Sequence, residues 1–92
     1  MTSQSVVVSN ELGLHARAAA RFVQLATRFD SQIRVARDQH VMDGKSVLGI
    51  LLLAAARGTT LTISAEGPDE RPAVEALARL VESGFVEDVW NA

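Results

Sequence analysis

The chain has no cysteine and no tyrosine, two prolines, and only three phenylalanines and one tryptophan among its 92 residues. Without cysteine there is no disulfide framework, no thiolate zinc site and no thiol nucleophile. Two histidines with no clustered carboxylates give no reason to expect a metal site. Nine Lys and Arg stand against eleven Asp and Glu, a net charge of −2, so the basic footprint of a nucleic-acid binder is missing. The few aromatics argue equally against a stacking surface for RNA bases. The longest apolar run, Val47 to Ala56, is too short to cross a bilayer. Met1-Thr2-Ser3-Gln4 lacks the basic and apolar regions of a signal peptide. These absences lead us to expect a single cytoplasmic domain over 1–92, monomeric, without cofactor, nucleic-acid partner or direct membrane insertion. Its core would span about 5–84, with an apolar tail at 85–92.

What is there is a series of short, well-punctuated segments. Ser5 to Ser9 is β-branched, is closed by polar Asn10, and reads as a strand. From Ala16 to about Thr27, Ala19, Phe22, Val23 and Ala26 recur at three- and four-residue steps, predicting a helix with one buried stripe. Arg17, Arg21, Gln24 and Arg28 share its opposite face. Ile33 to Arg37 alternates as a strand does. Asp38-Gln39 then makes a tight turn into a short return strand, His40 to Asp43, with His40 an exposed hairpin residue.

Ser46 suits a helix N-cap ahead of the block Val47 to Ala56, which has no polar face. If Ile50 and Leu53 face the core, Val47, Leu48, Leu51 and Leu52 are at least partly uncovered. A patch of that kind marks a partner surface, unless the tail covers it or the helix is central. Gly58, within Arg57-Gly58-Thr59, is placed to end this helix in a left-handed cap. Thr60 to Ala65 alternates cleanly, with Leu61, Ile63 and Ala65 inward. After the turn Glu66-Gly67-Pro68, Asp69 is expected to cap a helix whose stripe is Ala73, Val74, Leu77, Leu80 and Val81, stopped by Gly84. Asp69 and Glu70 read as helix-start acids rather than an acid/base pair.

The element order βαββαβα sends the first and second strands one way and the third and fourth the other. If the fourth lies between the first two, every neighbouring pair is antiparallel and all helices cover one face. The result is an α+β, open-faced two-layer sandwich with strand order 1-4-2-3 and three helices. A ferredoxin-like order stays open on these grounds.

The stretch that organises the chain is Asn10-Glu11-Leu12-Gly13-Leu14-His15-Ala16-Arg17-Ala18-Ala19. It places a histidine at a strand-to-helix junction, two residues before an arginine. Helix N-termini hold anions, because their first N–H groups are unpaired and carry partial positive charge. A free imidazole is largely uncharged near pH 7 and has a lone pair to attack with. The amides of Ala16, Arg17 and Ala18, with the Arg17 guanidinium, can then hold a phosphate delivered to His15. The plainer alternative is that His15 only caps the helix.

Three motifs, Gly13-Leu14-His15-Ala16-Arg17, Gly44-Lys45-Ser46-Val47-Leu48-Gly49, and Ser64-Ala65-Glu66-Gly67 with Asp69-Glu70, occur in the order and spacing of a known family. The chain resembles HPr, the histidine-containing phosphocarrier of the bacterial sugar phosphotransferase system, over about Val6 to Val81. The resemblance implies that His15 is phosphorylated on Nδ1 by enzyme I, which phosphoenolpyruvate charges. It implies that the group then passes to enzyme II A components, with Arg17 neutralising the phosphate. Ser46 matches the serine that a dedicated ATP-dependent kinase, the HPr kinase/phosphorylase, modifies in many lineages. Val47, Leu48 and Leu51 match apolar docking contacts, Gly49 is expected to let a partner approach closely, and Arg21 joins the docking set. Two departures stand out. Ala18 occupies a position where the family usually has Pro, and Leu52 stands where Ser or Thr is common, which enlarges the apolar patch. A regulatory HPr-like binding module, acting through its phosphorylation state, is the alternative from a different functional class.

Overall fold

The computed structural model describes residues 1–86. Its elements are β1 (Thr2–Val7), α1 (Ala16–Ala26), β2 (Gln32–Arg37), β3 (His40–Asp43), α2 (Val47–Leu52), β4 (Thr60–Glu66) and α3 (Glu70–Glu82). The sheet order is β1-β4-β2-β3, and each neighbouring pair is antiparallel. This is the expected open-faced sandwich, and it excludes the ferredoxin-like order.

Alternation along the strands creates the two faces. Val6, Ile33, Val35, Leu61, Ile63 and Ala65 point inward and join Ala19, Phe22, Ile50, Leu77 and Val81 from the helices in one buried cluster. Ser3, Ser5, Gln32, Arg34, Thr60 and Glu66 lie exposed. At roughly 1.5–3 kcal/mol for each large apolar side chain removed from water, this one cluster is the main source of stability. Ala18 belongs to the buried stripe of α1, whereas Val23 is only partly buried against it.

Four boundaries depart from the sequence reading. β1 begins at Thr2 rather than Ser5, because β4 offers a paired partner for every residue from Thr2 (opposite Ala65) to Val7 (opposite Thr60). The apolar block is not all helix: α2 stops at Leu52, with Leu53 as its C-cap. Ala54 takes the left-handed position at φ 50, and its N–H donates to the Leu51 carbonyl at 3.0 Å. Gly58 therefore does not cap α2. It also has positive φ (91), but in a turn where its N–H donates to Val8 O at 2.8 Å.

The fourth departure concerns Asp69. It occupies the N-cap position of α3 but makes no side-chain cap bond. Its carboxylate accepts instead from the N–H groups of Asp30 (2.8 Å) and Ser31 (2.9 Å) and from the Ser31 hydroxyl. The Ser31 hydroxyl bond, ahead of the backbone bonds, holds the Asp69 carboxyl below its ordinary pKa. Glu70 is drawn down to about 2, by the Thr2 hydroxyl first, then by the Gly67 N–H and the N-terminal ammonium at 3.1 Å. Asp69 thus joins the loop at 30–31 to the start of α3, and Glu70 joins α3 to β1. Gly84 ends α3 as expected, at φ 76, with Gly84 N–H on Val81 O and Phe85 N–H on Leu80 O, the paired bonds of a Schellman cap. Phe85 is buried; of the tail, residues 87–92 lie outside the described residues.

Candidate functional site

The loop between β1 and α1 decides where the histidine sits. Gly13 has φ 65, and a Cβ there would lie 2.4 Å from the Ala55 carbonyl oxygen, so only glycine fits this close approach. The neighbouring Leu14 N–H donates to that same oxygen at 2.9 Å. The extended segment after α2 and the loop before α1 are therefore locked together. This also explains why α2 ends early: continuing the helix would withdraw Ala55 from the loop.

His15 is the N-cap of α1, with φ −78 and ψ 177. Its Nδ1 accepts from the backbone N–H of Arg17 at 3.2 Å and of Ala18 at 3.4 Å. A ring nitrogen that accepts carries no proton, so the neutral ring holds hydrogen on Nε2 and its lone pair on Nδ1. The capping atom is thus the nitrogen that carries the lone pair of the neutral ring. The ring is half-buried, while Ala16 and Arg17 are exposed. The site is an open surface; the groove of about 500 Å³ between α1 and α3, lined by Leu25, Arg28, Ala76 and Leu80 among others, contains none of the expected site residues. Among the described residues no cluster of His, Cys, Asp or Glu could hold a metal ion, and no helix is long and apolar enough to cross a membrane.

The other expected residues divide into three groups. Ser46 is the N-cap of α2, its Oγ accepting from Gly49 N–H at 3.0 Å. Leu48 and Leu52 are strongly exposed and Val47 less so, while Leu51 packs partly against the core. Gly49 is half-buried within α2. An added Cβ would meet Ser46 Oγ at 3.3 Å and Met42 Cβ at 3.4 Å, close to ordinary contact. Arg21 is half-buried and donates from Nη1 to the Phe85 carbonyl at 2.6 Å, which ties it to the end of α3. One residue escaped the sequence reading: Asn10, taken only as the end of a strand, reaches forward from Nδ2 to Gly13 O at 2.8 Å. Its signal was faint, since an Asn three residues before a Gly is common in turns.

Comparison with known proteins decides the family. The model described as "PTS HPr component phosphorylation site" matches residues 2–83. The chain belongs to the HPr phosphocarrier family. Phosphocarrier protein HPr of Cupriavidus necator is 42% identical over 87 residues, covering 95% of this chain and 98% of the relative. The HPr crystal structure from Thermoanaerobacter tengcongensis has 45% identity and a TM-score of 0.90, over 95% and 98% of the two chains. Crh of Bacillus subtilis, described as a catabolite repression protein that forms a dimer by domain swapping, is 40% identical with a TM-score of 0.75, over 95% and 100%. Membership of the HPr family makes this chain a phosphocarrier component of a phosphotransferase system.

Proposed function

We propose that His15 Nδ1 accepts a phosphoryl group from enzyme I, charged by phosphoenolpyruvate, and passes it to enzyme II A components in sugar uptake in the cytoplasm. One observation carries this reading: Nδ1 faces the Arg17 and Ala18 amides at the open end of α1. In the transfer, the Nδ1 lone pair forms the N–P bond as the bond to the donor breaks. The two amides, released from the ring nitrogen, turn to the phosphoryl oxygens, with the Ala16 amide and the Arg17 guanidinium as further donors. Phosphoryl transfer depends mainly on positioning and charge stabilisation, and a shallow site with few donors suits passage in both directions. Incubation with enzyme I and labelled phosphoenolpyruvate should give acid-labile, base-stable label that is absent from His15→Ala. Label retained in that variant would sink the proposal.

Docking would use the exposed side chains of α2, Val47, Leu48 and Leu52, with Leu51 behind them and Arg21 at the margin. Ser46 is the candidate target of an HPr kinase/phosphorylase. A phosphate there adds roughly 1.5–2 negative charges at the start of α2, which favours the helix and opposes an acidic partner. Enzyme I turnover equal for unmodified and Ser46-phosphorylated protein would count against this. The likeness to Crh supports a second reading, a regulatory module acting through Ser46. The labelling experiment separates the two, since a purely regulatory module has no need of a labelled His15. A monomer is the working form proposed for the carrier, because its partners need the α2 face uncovered.

A further inference from the structure

Phosphoryl transfer at His15, as proposed above, makes no direct use of Asn10, yet Asn10 controls the carbonyl to which the His15 backbone is bonded. Gly13 O accepts two hydrogen bonds, from Asn10 Nδ2 at 2.8 Å and from His15 N–H at 3.0 Å. The Gly13 N–H in turn donates to Asn10 O at 3.2 Å, which closes the turn from the other side. With Leu14 N–H on Ala55 O at 2.9 Å, these bonds fix the backbone that carries the imidazole. Asn10 Nδ2 is the one side-chain group among them.

The two ends of the Asn10 amide are not alike. Its Oδ1 is buried with no hydrogen-bond partner among the described residues. A buried acceptor without a donor adds nothing to a fold, so the Oδ1 end gives no reason for the amide. The Nδ2 bond is what the position gains from being asparagine. Alanine has no donor to replace it. Aspartate, of the same shape, would turn an oxygen toward the Gly13 carbonyl.

We propose that Asn10 is a positioning residue for phosphoryl transfer: through Gly13 O it holds His15 so that Nδ1, rather than Nε2, meets the α1 amides and presents the lone pair. This rests on the phosphocarrier reading of His15. The carbonyl has another donor, but without Asn10 the turn can open and the ring can leave the cap.

The test compares wild type, Asn10→Ala and Asn10→Asp, each with ¹⁵N-labelled histidine. Ring nitrogen shifts report the balance of Nε2–H and Nδ1–H tautomers, and transfer from enzyme I reports kcat and KM. In both variants the ring should move from mainly Nε2–H toward a mixture, and kcat should fall about five- to tenfold with KM nearly unchanged, as expected for a misplaced reacting group. A lower melting temperature with wild-type tautomers and kcat in the folded protein would overturn the proposal and leave Asn10 a structural residue. Failure of wild type to be labelled would sink the phosphocarrier reading instead. The tautomer shift would still decide whether Asn10 holds the ring.

Discussion

An imidazole at an N-cap must turn one of its two nitrogens to the helix amides, and in this chain that nitrogen is Nδ1. Capping and nucleophilicity are often weighed as rival explanations of such a histidine, but both use the same lone pair. Ala18 sharpens the point. Its N–H is the longer of the two bonds to the ring, at 3.4 Å, and its side chain is buried. Ala18→Pro, which restores the residue usual in the family, removes that N–H from a first-turn position where no intrahelical bond is lost. The expected result is a gain of about 0.4–1 kcal/mol in urea unfolding, through a less flexible unfolded chain, and a transfer rate within about threefold of wild type. A loss of stability would show that the Ala18 amide supports the cap more than its length implies.

The histidine motif and its place at a strand-to-helix junction were legible before any coordinates, because a run of β-branched residues, a glycine and a 3.6-residue period are all local signals. At the scale of elements, the same local reading went wrong at α2. Nothing in Val47 to Ala56 marks a stop, and Gly58 offers the standard left-handed cap. The actual stop is at Leu52, forced by what Ala55 must do for the loop carrying Gly13 and Leu14. Ala54 is left with φ 50, a conformation that costs a residue with a Cβ about 1–2 kcal/mol. Ala54→Gly should therefore stabilise the protein by about 0.5–1 kcal/mol, after allowing for the greater freedom of glycine in the unfolded chain. A thermal melt checks this, and destabilisation would show that the Ala54 methyl contributes more than the strain removes. Ser46→Ala tests the other end of α2. Losing the bond to Gly49 N–H should cost about 1 kcal/mol.

On the scale of the whole molecule, the two acids at the start of α3 link the edges of the fold. Asp69 joins the loop at 30–31 to α3, and Glu70 joins α3 to the first residues of β1. Both have folded pKa values below those of the unfolded chain. Folding therefore gains from them in full only well above the unfolded values of about 4–4.5, where the unfolded carboxyls are ionised. That gain is lost as pH falls through the lowered folded values, about 2 for Glu70, where the folded groups take up protons. The urea midpoint of wild type should fall across this window, and the fall should be smaller in the double variant Asp69→Asn, Glu70→Gln. Equal acid sensitivity in the two proteins would assign the acid transition to other carboxyls.

Element types, the strand alternation behind the two-layer sheet, the Ser46 and Gly84 caps, and the pairing of His15 with a helix N-terminus were all present in the order of residues. Each depends on interactions a few positions long, which the chain carries wherever it goes. The start of β1, the end of α2 and the carboxylate partners of Asp69 were decided only by the tertiary structure. Each of these is a competition between a local partner and one brought in from a distant element. In β1 and at Asp69, hydrogen bonds to β4 and to Ser31 extended the strand and displaced the local cap. At Gly13, the lack of room for a methyl group beside the Ala55 carbonyl set the outcome. Pairings of this kind come into being only when the two segments meet.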